Sequence, residues 1–360
     1  MGLRIAFIMM PFCVLTGGII HRGHHTGFTI LILMVISSLV KEKALKYLCY
    51  YATFWAMFVM IAKVTGHLHK SYAVTANGRT VFIALGMIVY VVVAHSKESK
   101  HIFFNLICVA AMLQSIIGVM QLLGYDPFFS FLSCFVGTRY ELPAGWPVGS
   151  LGNNNFFAGY LAISLPFFFR KRILVCAGFI PLIIFLIINS NTSGAVIAVC
   201  IGMGIFFKKT RWLAILFIVG VLYALFFDNN GDTGTMVIYG RFWIWKKALS
   251  SIFSHPIMML IGHGPQAKTG FAFPYHNEYL QLWFNYGAVS VCLWAYYLIG
   301  IKNTDRNLYA GFIIASAFAF TSYPMHLAPS AFLIFIIMGL LEREKYHGGL
   351  SDICGNLRSG

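Results

Sequence analysis

Arg241 stands among aromatic residues in Tyr239-Gly240-Arg241-Phe242-Trp243-Ile244-Trp245. A guanidinium can grip a phosphate through two parallel hydrogen bonds, a fork that lysine cannot reproduce. The competing reading has Arg241 merely snorkelling to lipid headgroups. His276 lies in Pro274-Tyr275-His276-Asn277-Glu278, within the first turn expected of a long helical run. The partial positive charge of a helix N-terminus disfavours imidazolium, so a neutral His276 could accept a proton from a hydroxyl. That helix end could also attract an anion. A capping or interfacial histidine explains the residue equally well, and Glu278 suits the helix dipole on its own account.

Two further stretches have chemical potential. Gly149-Ser150-Leu151-Gly152-Asn153-Asn154-Asn155 leads into an apolar run. Asparagines such as Asn153 and Asn155 can cap a helix, and as donors and acceptors they can also bind sugar hydroxyls. Gly262-His263-Gly264-Pro265 reads as a tight turn, and a lone G-x-G is weak support for phosphate binding. The histidines at 21, 24, 25, 67 and 69 lack Cys, Asp or Glu at metal-ligand spacing, so no metal and no cofactor is expected. Of eight cysteines, six lie in apolar runs and none forms a C-x-x-C pair; they read as small hydrophobes.

The elements that position these residues are membrane helices. Residues are 59% hydrophobic and only 10% charged over a chain of 360, against about 25% charged in a soluble domain. The net charge of +15 marks cytoplasmic loops and not a nucleic-acid partner. Apolar segments run over about 3–20, 27–40, 45–64, 80–94, 102–123, 156–169, 173–189, 194–207, 212–227, 276–300, 307–322 and 327–341. The fold class expected is therefore all-α and polytopic: about 12 transmembrane helices in a single integral membrane domain, 1–360. The segment after Arg4 lacks a small-residue cleavage site and reads as the first span.

Twelve spans put both termini on one side. The loops of that side, with the termini, hold 17 of the 26 basic residues, so the positive-inside rule makes that side the cytoplasm. Loops 124–155 and 228–275 are then extracytoplasmic. The larger one carries an amphipathic helix from Arg241 to Ser254, with Phe242, Trp245, Leu249, Ile252 and Phe253 on one face and Lys246, Lys247, Ser250 and Ser251 mainly opposite. It should lie at the membrane surface, anchored by Trp243 and Trp245, and end at His255-Pro256. All eleven acidic residues fall outside the span interiors, Glu278 being the closest, which argues against an ion-coupled carrier.

Gly240-Arg241 followed by Trp245, Gly262-His263-Gly264-Pro265, and His276-Asn277-Glu278-Tyr279-Leu280-Gln281 followed by Gly287 resemble the core of the O-antigen ligase and polymerase superfamily. Gly152, Asn153, Asn155, Ala158, Tyr160, Leu161 and Pro166 resemble its earlier signature. The resemblance covers about 150–300 in detail. It implies a metal-independent transferase in the bacterial cytoplasmic membrane that moves a glycan from undecaprenyl diphosphate to a hydroxyl. The acceptor would be lipid A-core, a growing glycan or, in a protein O-oligosaccharyltransferase, a protein. It also implies that Arg241 binds the diphosphate, that His276 activates the acceptor, and that Asn153, Asn155, Asn277 and Glu278 contact acceptor or glycan. One departure stands out: where many members carry T-x-S-R-G, this chain reads Asn191-Thr192-Ser193-Gly194-Ala195. A second diphosphate-binding arginine must come from elsewhere, with Arg139 the candidate.

Two readings of other classes remain open: a lipid-linked glycan flippase, which should line an internal cavity with cations, and a non-catalytic envelope assembly protein. The topology is testable first. Cysteines introduced in 228–268 should react with a membrane-impermeant reagent on intact cells, and cysteines near 208–211 only after lysis. The reverse pattern would put the larger loop in the cytoplasm and remove the donor side from the reading.

Overall fold

The computed structural model describes residues 86–87, 89–96, 98–127, 146–169, 174–206, 234–263, 277–301, 305–322, 324 and 328–356. The first three apolar segments and the ninth lie outside them, as do Arg139 and His276. Among the described residues the regular structure is helical, with no strand. The helices are α1 (Lys100–Leu122), α2 (Asn154–Ser164), which tightens into a 3-10 turn (Leu165–Phe168), α3 (Leu174–Asn189), α4 (Ser193–Phe206), α5 (Gly234–Phe253), α6 (Pro256–Ile261), α7 (Glu278–Gly300), α8 (Arg306–Phe318) and α9 (Ala328–Asn356). Two of these, α1 and α7, are long and apolar enough to cross a membrane.

Helix α2 sits in the middle of the core: Phe157, Ala158, Leu161, Ala162 and Ile163 are wholly enclosed. Small residues set how near its neighbours come. Gly194, Ala198 and Gly202 recur every fourth residue of α4, one row on a helix. A side chain at Gly194 would collide with Thr321, and one at Gly202 with Ile314 of α8. Such close backbone approach increases the dispersion contacts between the helices. Gly159 of α2 meets the Phe318 ring of α8 in the same way. Cys108 is buried, as its apolar run suggests, whereas Cys292 is exposed on α7.

The two ends of this bundle differ in chemistry. At one, the Lys100 ammonium pairs with Asp305 at 3.1 Å and with Glu344 at 3.0 Å, tying the start of α1 to α8 and α9. Asp305 also caps α8, accepting from the N–H groups of Asn307 and Leu308. Arg343 donates to the carbonyl of Glu98. Glu342, one residue beyond the twelfth apolar segment, is buried; α9 continues through it without a stop. The other end carries the polar motif segments described below.

Helix α7 is not continuous. Gly287 has φ 76°, a left-handed conformation that only glycine adopts freely. Gly262, at φ 85°, closes α6, and the two glycines face each other: a Cβ on Gly262 would strike the backbone of 285–287, and one on Gly287 the carbonyl of Leu260. The break frees carbonyls that new donors take up. His263 N–H donates to Phe284 O at 2.7 Å, and Ser290 Oγ donates to Gly287 O at 2.7 Å. Trp283 Nε1 fastens α6 from the side, donating to Met259 O at 3.0 Å.

Helix α5 differs from the sequence expectation in two respects. It begins at Gly234, a full two turns before Arg241. Its packed row is Ile244, Ala248 and Ile252, set against Leu280, Trp283 and Phe284, while Phe253, expected on that face, is 55% exposed. The small Ala248 explains the rotation, because it lets α5 approach Phe284 where a bulkier residue would hold it off. The end at His255-Pro256 is as expected, with His255 extended ahead of α6.

Gly287→Ala should lower thermal stability in detergent by at least the roughly 1–2 kcal/mol of a left-handed Ala, and further through the collision with Leu260. Gly178→Ala on α3, where a Cβ meets nothing, should be neutral or stabilising by up to about 1 kcal/mol. Equal melting temperatures for wild type and Gly287→Ala would show that the break is not fixed by this contact.

Candidate functional site

Four segments far apart in sequence meet at the polar end. The first is the loop before α2. Gln121 Oε1 accepts from Val148 N–H at 2.9 Å and Gly149 N–H at 2.7 Å, and its Nε2 donates to Gly149 O at 2.9 Å. One turn pair earlier on α1, Gln114 receives Ser150 N–H at 2.9 Å and donates to Ser150 Oγ at 2.7 Å. The side chains of two buried or half-buried glutamines thus act as a strand-like partner for an irregular backbone. Gly149 has φ 57° and Gly152 φ 71°, and a side chain at Gly149 would collide with Gln114 and Phe157.

The second segment is the α3–α4 turn. Asn154, the first residue of α2, donates from Nδ2 to Ser190 O at 2.8 Å, which joins the two segments. Asn191 takes the left-handed conformation, φ 53°, a region asparagine tolerates better than most residues. The third segment, 319–322 after α8, lies on this turn through the contact of Gly194 with Thr321. The fourth is the start of α7: Glu278 N–H donates to Ala319 O at 2.8 Å and Ser322 O at 3.1 Å. Tyr279 OH donates to Ser316 O at 2.8 Å. The N-termini of α2, α4 and α7 therefore lie together, and their dipoles make this rim partially positive.

The predicted site residues take distinct places here. Asn153 is the N-cap of α2, its Oδ1 accepting from Asn155 N–H at 2.9 Å and from Phe156 N–H at 3.4 Å. Asn277 is the N-cap of α7, its Oδ1 accepting from Leu280 N–H at 3.0 Å. Each cap commits the amide oxygen to its helix; Asn153 is half-buried and Asn277 is buried. Asn155 is half-buried in the first turn of α2 and Glu278 is buried in the first turn of α7. Arg241 lies on α5, whose later turns pack on the first half of α7; its side chain, His276 and Arg139 fall outside the described detail. The described helix begins at Glu278 with Asn277 as its N-cap; His276, expected in the first turn, lies outside the described residues.

Sequence reasoning missed Gln114, Gln121 and the role of His263. A signal for the glutamines existed: two amides seven residues apart in an apolar run share a helix face. The His263 ring stacks on Phe284, centroids 4.5 Å apart, and its Nε2 has no hydrogen-bond partner. Burial lowers its pKa, the Ser251 backbone hydrogen bond opposes this, and His255 lowers it further. Among the described residues no group of three His, Cys, Asp or Glu could hold a metal ion.

The chain matches no protein-family model and no curated protein.

Gln121→Leu keeps the apolar volume of α1 but strips Val148 and Gly149 of their partner. Unsatisfied backbone groups cost about 1–3 kcal/mol each, so the variant should melt measurably lower, and amide exchange at 148–150 should rise. Unchanged exchange there would mean that the loop is held by something other than Gln121.

Proposed function

We propose that this chain is a multi-pass enzyme of the bacterial cytoplasmic membrane, with about twelve spans and both termini in the cytoplasm, that transfers a glycan from undecaprenyl diphosphate to an acceptor hydroxyl. The observation that carries this reading is the shared rim. The segments around Asn153, Thr192 and Asn277 are the ones the family resemblance singles out, and they are joined by the contacts of Asn154 with Ser190, Gly194 with Thr321 and Glu278 with Ala319. Two further motif glycines, Gly262 and Gly287, touch each other at the break nine positions along α7.

The chemistry asks little of a protein. His276 takes the proton of the acceptor hydroxyl as its oxygen attacks the anomeric carbon. The bond from that carbon to the diphosphate breaks, and the lipid diphosphate leaves with the electron pair. A leaving group of this kind needs charge stabilisation more than protonation. The Arg241 guanidinium supplies it, with Arg139 as second cation and three helix N-termini in support. The amides of Asn153 and Asn277 have the donors that suit sugar oxygens, with Asn155 and Glu278 beside them.

The packing of Gly194 on Thr321 leaves no room for the arginine that many family members carry nearby. That observation favours a second reading, a non-catalytic envelope assembly protein. Both are tested by single-turnover transfer from a lipid-diphosphate glycan with purified chain and acceptors of the three kinds. Wild type should transfer to one of them, with the rate falling as imidazole protonates on the acid side. His276→Gln keeps a polar side chain but cannot act as a base, and should lose about 10²–10⁴-fold. If it retains more than roughly a tenth of the rate, His276 is not the base; if well-folded wild type yields no product with any acceptor, the assembly reading stands.

A further inference from the structure

Helix α6 is the most apolar element outside the core and the least covered. Not one of its residues is buried: Ile257 is 70% exposed, and Leu260, Ile261 and Met258 are exposed too, as is Phe253 just before it. The helix is nevertheless firmly seated, through its backbone. Trp283 donates to Met259 O, Gly262 abuts Gly287, and His263 N–H caps Phe284. Met259 packs on the contact of α5 with α7 and Phe253 meets the Trp283 ring edge-on, while Ile257, Met258, Leu260 and Ile261 are left facing away from the protein.

The depth of that seat matters. Gly287 is nine positions along α7, about 13 Å below its first residue at 1.5 Å per residue, and α7 is one of the two helices able to cross a membrane. Below the break its own outward residues are apolar as well: Val289, Tyr296 and Ile299 are exposed. The exposed face of α6 thus continues the exposed face of a spanning helix. Lys246 and Lys247, about two turns before Phe253, are exposed on α5, and Lys247 lies over the Trp243 ring at 4.8 Å. An aromatic-cationic pair followed by an apolar hook matches the order of headgroup and acyl layers.

We propose that Phe253–Ile261 is a re-entrant hook embedded in the acyl-chain layer of the bilayer, with lipid hydrocarbon as the partner of its exposed side chains. The sequence expectation placed all of 228–275 outside the membrane, with only the surface helix touching it; the hook instead enters on the motif side and turns back at Gly262. Irregular backbone at that depth is tolerated because it is satisfied by protein, here by α7. The inference rests on the membrane reading and not on the transfer chemistry.

The test reconstitutes the full chain in phosphatidylcholine vesicles doped with a lipid bearing a diazirine midway along one acyl chain. Adducts are mapped by mass spectrometry beside hydroxyl-radical footprinting from the water. Lipid adducts are expected on the peptide holding Ile257 and Leu260 to the same extent as on that holding Val289 and Tyr296. They should exceed those on the exposed rim residue Tyr125 by about tenfold, as hydrocarbon depth requires. Radical labelling of 253–261 with lipid adducts confined to α7 would overturn the hook in favour of a loop in water. Protection of 253–261 from both probes would overturn it in favour of a protein cover. Absence of adducts on α7 would remove the membrane reading and the hook with it, while leaving the transfer assay to be judged separately.

Discussion

A backbone N–H or C=O that leaves a helix must find another partner, and in a chain this apolar water is rarely the partner to hand. That constraint accounts for most of the irregular structure here. The carbonyls freed at Gly287 are taken by His263 and Ser290. The N–H groups freed before α2 are taken by Gln114 and Gln121. The first N–H of α7 is taken by carbonyls that α8 no longer uses. Apart from that of Ser290, each repair joins elements distant in sequence, so hydrogen bonds hold the motif end of the bundle, the Lys100 ion pairs tie the opposite end, and dispersion holds the core between them.

The same constraint explains what was legible in the sequence. Helix limits came through where an apolar run was bounded by polar residues: the segments 102–123 and 276–300 became Lys100–Leu122 and Glu278–Gly300, and the segment starting at 194 became a helix starting at Ser193. The cap at Asn153 was readable because a short amide ahead of an apolar run has one favoured local use; the cap at Asn277 was not read, because the helix was expected to begin earlier. The repairs were not readable, since Gln121 answers to residues 27 and 28 positions on, and sequence periodicity has no memory of that length. Nor was the break at Gly287, because a glycine within an apolar helix is ordinary in membrane proteins and only its contact with Gly262 makes it a hinge point. The packed row of α5 was misplaced for a related reason: hydrophobicity favoured Phe253, while Ala248 decided the approach. Of the candidate site, the residues that shape the rim are in view, and the two proposed to carry the reaction, Arg241 and His276, rest on their motif positions.

One helix that meets the rim is short. Helix α8 has 13 residues between its caps at Asp305 and Ala319, about 20 Å at 1.5 Å per residue, against a hydrocarbon layer of about 30 Å. On the proposed membrane reading, local thinning of the lipid is one way to match so short a helix, beside snorkelling of flanking residues and oligomerisation. The leaflet on the motif side would dimple toward the rim, bringing headgroups down to the level of Asn153, Thr192 and Asn277. A long-chain lipid carrying its polar head into such a depression need not rise out of its own leaflet to be reached. Membrane thickness, as much as any side chain, would then govern how readily this rim is occupied.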